Sequence, residues 1–364
     1  MWRAGVGDLV AERYELEMSV ARGATSHVWK AHDRVADRQV AIKFLIPDQQ
    51  PQAHPLAFLK REVQALRRLQ HPHIIRVVDA KLSHTPPFLV MEFVEGMTLS
   101  LLLKQRSFVK RPLDLDTVAQ LAIQIGEACA YAHGQGVIHR DLKPQNIIIV
   151  ERAGVFFAKV VDFGVSRLVH RPGDVHDDTT SGRVYGTIHY MAPERIRNEP
   201  QTHQVDVFAL ATLIFELLTG YRCFVRSDGQ PVLAFSAPVP KNENGLYDVF
   251  RRIVREERVD PTSLRADTPA DWAEVILRGL DTDPARRPEI GELMQPFRTY
   301  RALRRVREAN HLNWDLVLDD LPELDALPRS ETPARPRTPA EPSSSEDPDG
   351  PRPLPGLRTP KEVS

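Results

Sequence analysis

Short apolar runs and alternating polar and apolar residues dominate the first part of the chain and predict β-strands. Residues 14–18 alternate, residues 40–45 are a β-rich run, and residues 88–96 read as a buried strand that runs into a turn. Residues 56–70 differ, because their apolar side chains recur at the three- and four-residue spacing of an amphipathic helix. The pattern therefore predicts a β-rich segment that holds one main helix.

Beyond residue 115 the same pattern predicts mainly helices. Residues 116–133 carry apolar side chains at helical spacing, and residues 205–218 are apolar on nearly every side, which is typical of a buried central helix. Residues 147–150 and 158–161 are the exception, because they form two short β-rich runs around a turn. We therefore expect the α+β class, with a small β-rich part before a mainly helical part.

The composition excludes several classes of protein. The 364 residues are 42% hydrophobic and 27% charged, an ordinary balance for a soluble globular protein. The formal net charge of −1 gives no general electrostatic reason to expect nucleic acid or an anionic membrane as a partner. Cys129 and Cys223 are too few for a disulfide framework or a cysteine-based metal site.

No stretch of the sequence suggests export or membrane insertion. The N-terminus lacks an apolar run of signal-peptide length. The longest apolar run, residues 207–215, is far shorter than the roughly 20 residues that span a bilayer. We therefore expect a soluble, cytoplasmic protein without a membrane partner.

Side chains suited to one kind of chemistry cluster after the long predicted helix. Residues 139–146 read H-R-D-L-K-P-Q-N, and a D-F-G sequence begins at Asp162. Asp141 is a carboxylate that can take a proton from a hydroxyl, and Lys143 adds positive charge. The oxygens of Asn146 and Asp162 are ligands of the kind that a hard divalent cation prefers. This set suits phosphoryl transfer, in which a protein mainly positions groups and neutralises charge.

Two further motifs extend the series in both directions along the chain. Residues 40–43 read V-A-I-K, and residues 192–194 read A-P-E. In this order the motifs resemble the eukaryotic-type (Hanks-type) Ser/Thr protein kinase family, including its bacterial members, over about residues 10–300. The ordered series is very specific, whereas H-R-D alone would be common by chance.

The resemblance implies a bilobal, protein-kinase-like α+β fold. The small β-rich N-lobe would occupy about residues 10–94 and the mainly helical C-lobe about residues 95–300. We expect a helical extension at residues 301–324. Residues 325–364 are rich in proline and nearly devoid of large apolar side chains, so we expect a disordered tail. This tail either docks a partner or is a plain solvated segment.

The resemblance assigns the chemistry to five polar residues. Asp141 would accept or orient the proton of the substrate hydroxyl, and Lys143 would neutralise charge on the γ-phosphate of ATP. Asn146 and Asp162 would hold Mg²⁺, with Mn²⁺ as the alternative ion, against the phosphates. Lys43 would pair with the α- and β-phosphates.

The resemblance also assigns an ATP pocket. Its predicted residues are Ala21, Gly23, Val28, Ala41, Lys43, Glu62, Met91, Glu92, Val94 and Ile148. Met91 would guard the back of the adenine site, and the backbone of Glu92 and Val94 would hydrogen-bond adenine. Only Gly23 remains of the three glycines of the family's nucleotide loop, so we expect a stiffer loop and weaker ATP binding.

Lys43 and Glu62 are predicted to form an ion pair. Each alone has an ordinary alternative, as a surface lysine on a strand and a solvated glutamate on a helix, and their combination favours the pair. One turn after Glu62, Leu66 would pack toward Phe163 in an apolar stack. Three further residues have predicted structural roles: Asp206 would cap the catalytic-loop backbone, and Arg287 would pair with Glu194.

Substrate class and regulation have their own signals. Lys143, together with Thr187, matches the Ser/Thr class of the family, and the A-P-E motif argues against a small-molecule phosphotransferase. In the polar segment before it, Thr179, Thr180 or Ser181 is predicted to be autophosphorylated, which implies self-association and would give Arg140 an anionic partner. The alternative is a merely soluble loop.

The sequence therefore predicts an ATP-dependent Ser/Thr kinase that acts on protein substrates, with no nucleic acid as partner. The alternative is a pseudokinase, a kinase fold kept as a binding or allosteric scaffold. The depleted glycine loop favours that alternative, and the intact Lys43, Glu62, Asp141, Asn146 and Asp162 argue against it more strongly.

Overall fold

The structure, a computed structural model, describes residues 4–23, 26–46, 56–108, 112–163, 188–224, 233–234, 243–255 and 257–317. The chain divides into two units, Met1–Asn310 and His311–Ser364, and the second is described only as far as residue 317. The predicted tail, Thr187 and the three predicted phosphorylation sites lie outside the described residues.

A six-stranded antiparallel sheet forms most of the N-terminal part. Its strands are β1 Leu9–Val10, β2 Tyr14–Arg22, β3 Ser26–Asp33, β4 Arg38–Leu45, β5 Val77–Lys81 and β6 Phe88–Glu92, in the order β1-β2-β3-β4-β6-β5. Helix α1, Leu56–Arg68, lies between β4 and β5 in the chain. The predicted strands and the predicted helix are thus confirmed.

One face of this sheet is closed by an apolar cluster of its own. Burial alternates residue by residue along β3, as the two-residue period of a strand requires. On the closed face Trp29 and Ile42 are buried, and the rings of Phe44 and Phe88 lie 5.4 Å apart. Because alternate side chains point to opposite faces, the residues between them face the other side, where the predicted ATP pocket lies.

The rest of the first unit is mainly helical. Its elements are β7 Met97–Thr98, α2 Leu99–Phe108, α3 Leu115–Gly134, β8 Ile147–Arg152, β9 Val155–Val160, α4 Pro193–Ile196, α5 Gln204–Thr219, α6 Glu243–Val254, α7 Pro261–Leu264 and α8 Ala270–Gly279, followed by α9 Ile290–Val317. Helix α5 is buried along its whole length, as predicted. Within the described ranges, no helix is both long and apolar enough to cross a bilayer.

Strand β9 leads to Asp162, and the backbone groups on its outer edge are hydrogen-bonded to helix α3 and to the loop before β5. The strand order is β7-β8-β9, so β9 lies at the edge of a small sheet. The Gln124 side chain of α3 accepts from Ala158 N at 2.7 Å and donates to Phe156 O at 3.2 Å. Farther along, Ile75 N donates to Val160 O at 2.9 Å. The strand is therefore held on both sides before the D-F-G turn begins.

A buried ion pair ties the A-P-E motif to the helical core. Arg287 donates from both terminal nitrogens to the Glu194 carboxylate, each at 2.7 Å, and both side chains are almost fully buried. Arg287 also donates to Gln204 O at 2.8 Å and lies 5.1 Å from the ring centre of Phe208 on α5. The predicted pair is confirmed, and its remaining donors are satisfied, as a buried charge requires.

Helices α5 and α8 approach each other closely at Gly279. A Cβ atom added there would lie 2.6 Å from the Cβ of Ala211, an atom that cannot rotate away. Glycine is therefore required at this crossing by its small size rather than by its backbone conformation.

The prediction is that Gly279→Ala lowers the free energy of unfolding by about 1–3 kcal/mol, because overpacking outweighs the better helix propensity of alanine. Gly291→Ala on α9 is the matched control, since a Cβ atom there meets open space, and it should leave stability unchanged or raise it by up to about 1 kcal/mol. Urea denaturation checks both variants. Equal stability of the two alanine variants would contradict the close approach.

Candidate active site

The Asp206 carboxylate of α5 holds the start of the loop formed by residues 139–146. It accepts from His139 N at 2.7 Å and from Arg140 N at 2.8 Å, and His133 Nε2 lies 2.7 Å from the same carboxylate. The predicted backbone cap is confirmed. Burial raises the pKa of Asp206, but the hydrogen bond from His133, the charge of His139 and the backbone donors outweigh it and hold that pKa below its usual range.

Two residues of the site have a left-handed backbone. Arg140 has a φ of 65° and Asp162 a φ of 67°, a region that side chains other than glycine rarely adopt and that costs energy. Two hydrogen bonds hold Val161, the residue before Asp162. Val161 N donates to Asn146 O at 2.9 Å, and His139 Nε2 lies 2.9 Å from Val161 O. Both strained residues therefore sit within a network that fixes them.

Asp141 lies between Lys143 and Asn146, two other residues of the predicted site. Lys143 Nζ is 2.8 Å from one carboxylate oxygen and 2.9 Å from the other, and Asn146 Nδ2 donates to the carboxylate at 3.0 Å. Burial raises the pKa of Asp141, but the charges of Lys143, Arg195 and His139 outweigh it and keep the pKa below its ordinary value. The carboxylate is therefore ionised at neutral pH and is ready to accept a hydrogen bond from a hydroxyl.

Asn146 and Asp162 lie at the same end of the β8–β9 hairpin. Ile147 pairs with Val160, and the 2.9 Å hydrogen bond from Val161 N to Asn146 O continues that pairing by one step. The Asn146 side chain donates through Nδ2 to Asp141, so its amide oxygen points away from Asp141. One amide oxygen and one carboxylate are the donor types that Mg²⁺ and Mn²⁺ take, and this donor set fits such an ion.

Lys43 pairs with Asp162 rather than with the predicted partner. Its Nζ lies 2.7 Å from Asp162 Oδ2, whereas the ion pairs of the described residues do not include one between Lys43 and Glu62. The expectation of that pair therefore does not describe this conformation. The D-F-G turn brings one carboxylate into direct contact with a nearly buried ammonium, and attraction between charges is strongest at contact distance. Sequence spacing could not tell which carboxylate would come closer.

The remaining predicted residues of β3, β4 and β6 lie side by side on the open face of the sheet, which is the face opposite Trp29, Ile42 and Phe44. Val28 is directly opposite Lys43, and Ala41 is directly opposite Met91. Because Ala41 and Lys43 are two residues apart on one strand, their side chains share a face. Ile148 lies on β8, opposite Thr98 and partly buried.

The predicted nucleotide loop joins β2 to β3. Ala21 is exposed and pairs with Val28, and Gly23 N donates to Ser26 O at 2.8 Å. A Cβ atom on Gly23 would come no closer than 3.5 Å to its neighbours, and Gly23 does not use a positive φ. The surviving glycine is therefore not required by the backbone of this conformation. Residues 24–25 lie outside the described ranges.

After β6 the chain passes from the first sheet to the helical part through Glu92, Val94 and Gly96. Glu92 N donates to Arg76 O at 2.9 Å, so this N–H is already used within the fold. The Glu92 side chain accepts from Lys159 Nζ on β9 at 2.7 Å. A Cβ atom on Gly96 would lie 2.5 Å from a backbone oxygen of β8, which explains the glycine. Val94 packs against the main core.

The apolar stack expected beside the site is present. The rings of His139 and Phe163 lie 4.6 Å apart, and Leu66 lines the same apolar cavity as Phe163 and Met91. Sequence reasoning missed two polar residues that act on this region. His133 reaches Asp206, and Arg195 donates from Nη1 to the carbonyl oxygen of Arg140. No spacing rule signals either contact, because the partners are far apart in the chain.

A family model described as a protein kinase domain matches residues 14–297. The chain belongs to the protein kinase family. The expected family and its bilobal α+β fold are thus confirmed, with the sheet of β1–β6 and α1 as the N-lobe and the mainly helical part as the C-lobe.

Curated bacterial relatives resemble the kinase over most of its length. It is 34% identical to the probable serine/threonine-protein kinase PknB of Lactococcus lactis over 64% of this chain and 35% of the relative. It is 31% identical to the serine/threonine-protein kinase pkn3 of Myxococcus xanthus over 79% of this chain and 49% of the relative. It is 30% identical to the serine/threonine-protein kinase PrkC of Bacillus subtilis over 80% of this chain and 40% of the relative. The chain thus matches less than half of each of these relatives.

The prediction for the loop anchor is that Asp206→Asn lowers the free energy of unfolding at pH 7 by about 2–4 kcal/mol, because the charged acceptor of buried donors is lost. Since the folded-state pKa of Asp206 is depressed, the stabilisation is present above the ordinary pKa and is lost as pH falls through the folded-state value. The difference between the two proteins should stay constant between about pH 5 and 8 and shrink below about pH 4.

Denaturant titrations at several pH values check this dependence. Asp37→Asn is the control, because the Asp37 side chain is 94% exposed, and it should leave stability unchanged. A difference between wild type and Asp206→Asn that shrinks between pH 8 and 5 would show that Asp206 is not ionised in the way described.

Proposed function

We propose that the protein is a Ser/Thr protein kinase that transfers the γ-phosphoryl group of ATP to Ser or Thr hydroxyls of protein substrates. The observation that carries this proposal is the ionised Asp141 carboxylate, held by Lys143 and Asn146. The Lys43–Asp162 pair supports it, since it puts a cation beside a predicted metal ligand. The bacterial relatives described above are all named as serine/threonine-protein kinases, which agrees with this substrate class.

In the proposed reaction the substrate oxygen attacks the γ-phosphorus of ATP. The bond between that phosphorus and the bridging oxygen breaks, ADP leaves, and the hydroxyl proton passes to Asp141. The low pKa of Asp141 makes it a weak base before the reaction begins. It suits an acceptor that orients the hydroxyl and takes the proton late, because phosphoryl transfer passes through a loose transition state with little early demand for deprotonation.

Lys143 has a double role in this proposal. Its ammonium contacts both oxygens of Asp141, which keeps the carboxylate ionised and in place. The same positive charge would offset the negative charge of the transferred group. Asn146 and Asp162 would hold Mg²⁺, or Mn²⁺ as the alternative, and the ion would neutralise phosphate oxygens. Lys43 and the open face of the N-lobe sheet would bind ATP.

The proposal also includes regulation by phosphorylation, a partner for the tail and a cellular location. Autophosphorylation would occur at Thr179, Thr180 or Ser181, with Arg140 as a partner of the new charge and a second copy of the chain as the enzyme. A partner for the proline-rich tail and a cytoplasmic location are predictions from the sequence.

The decisive variant is Asp141→Asn, which keeps the shape of the side chain and removes its charge. It should lower kcat by about 10²–10⁴-fold, the range expected for loss of a general base, while the Kd for ATP with Mg²⁺ changes little. Transfer of labelled phosphate from ATP to the protein itself and to a generic basic protein measures the effect, with Asp37→Asn as the matched control. Equal labelling by wild type and Asp141→Asn would contradict the proposal, and ATP binding without transfer by wild type would favour the pseudokinase.

The metal requirement gives a separate prediction. Removal of divalent ions with a chelator should abolish transfer, and Mg²⁺ or Mn²⁺ should restore it, because the charge of the phosphates must be neutralised. Asp162→Asn should raise the metal concentration needed for half-maximal activity, by about 10-fold or more if one charged ligand is lost. Full activity in the presence of excess chelator would contradict the assignment of Asn146 and Asp162.

A further inference from the structure

Arg195 connects the A-P-E helix to the catalytic loop. It lies on α4, directly after Glu194, and its Nη1 donates to the carbonyl oxygen of Arg140. Arg140 immediately precedes Asp141 and has the left-handed φ of 65°. A contact from an arginine side chain to this carbonyl therefore acts on the peptide unit that leads into the proposed catalytic residue.

The left-handed conformation of Arg140 is restrained by contacts to both its N–H and its carbonyl oxygen. A left-handed residue other than glycine is strained and persists only where its surroundings determine it. The Arg140 N–H is held by Asp206 at 2.8 Å, and its carbonyl oxygen is held by Arg195. Because one peptide plane carries the N–H and the next carries the carbonyl, the two contacts together restrain both φ and ψ of Arg140.

The position of Arg195 on α4 is fixed by the residue before it. The preceding residue, Glu194, is locked by the buried bidentate pair with Arg287. A continuous set of contacts thus runs from the buried core through α4 to the peptide that positions Asp141.

We infer that Arg195 is a positioning residue of the catalytic loop, which holds Asp141 in place through the carbonyl of Arg140. This inference rests on the proposed function, since it concerns the residue proposed to accept the proton. Arg195 has no proposed contact with ATP, metal or substrate. Its loss should therefore act on the chemical step and leave nucleotide binding nearly unchanged.

Three substitutions at this position separate charge, hydrogen bonding and packing. Arg195→Gln should lower kcat by about 10–100-fold, because a misplacement of about 1 Å at a reacting group costs on that order. Arg195→Met, which keeps the length without a donor, should lose at least as much. Arg195→Lys keeps a donor and the charge, so it should recover at least about 3-fold in kcat over Arg195→Gln. The KM for ATP should change less than about 3-fold in all three.

Arg197→Gln is the matched control on the same short segment. Arg197 is exposed and its ion pair with Glu199 is 3.9 Å long, so this variant should keep the kcat of the wild type. Melting temperatures measured for all variants identify loss of folded protein. Steady-state kinetics at saturating ATP and saturating protein substrate then give kcat for the folded enzyme.

The outcomes separate this inference from the proposed function. If wild type transfers phosphate and Asp141→Asn does not, the proposed function stands and the Arg195 variants are decisive. An unchanged kcat in Arg195→Gln would overturn the inference, as would a lysine variant no better than glutamine. A lower melting temperature that accounts for all lost activity would also overturn it, because Arg195 would then be a purely structural residue. Absence of transfer by wild type would instead refute the proposed function itself.

Discussion

The buried carboxylate of Asp206 is the interaction on which the site depends. A charge without access to water is tolerated only when donors surround it, and here the donors are two consecutive backbone N–H groups of the catalytic loop and the His133 ring. The Asp206 carboxylate and the loop stabilise each other. The N–H groups of the loop keep the carboxylate ionised, and the carboxylate keeps Arg140 in its left-handed conformation. The central helix α5 thus fixes where Asp141 stands.

A second set of contacts brings Asp162 to the same place. Strand β9 is held on its outer edge by Gln124 and by the backbone of Ile75, and its end is joined to Asn146 through Val161 N. Lys43 then reaches Asp162 from the N-lobe sheet. Groups from distant parts of the chain therefore converge because rigid elements, rather than mobile loops alone, support each of them.

The outcomes for the nucleotide pocket show how far sequence reasoning reaches. The resemblance to the protein kinase family assigned Val28, Ala41 and Met91 to one pocket, and the observed strand register places their side chains on one face. The same resemblance paired Lys43 with Glu62, whereas the structure pairs Lys43 with Asp162. Glu62 and Asp162 are both carboxylates at plausible positions, and only the placement of the D-F-G turn determines that Asp162 makes the contact. Arg195 was missed because its contact with the carbonyl oxygen of Arg140 belongs to none of the motifs on which the resemblance rests.

Motif identity and local periodicity were enough to predict the family and the order of strands and helices, and the resemblance added the Glu194–Arg287 pair and the candidate site residues. The folded chain was needed to show which charges meet, which backbone carbonyls accept hydrogen bonds and which residues carry strain. These depend on distances of a few ångströms between elements remote in the chain, and such distances follow from packing of the whole core. Asp206 illustrates both: its role was predicted, whereas the contribution of His133 to that role emerged only from the fold.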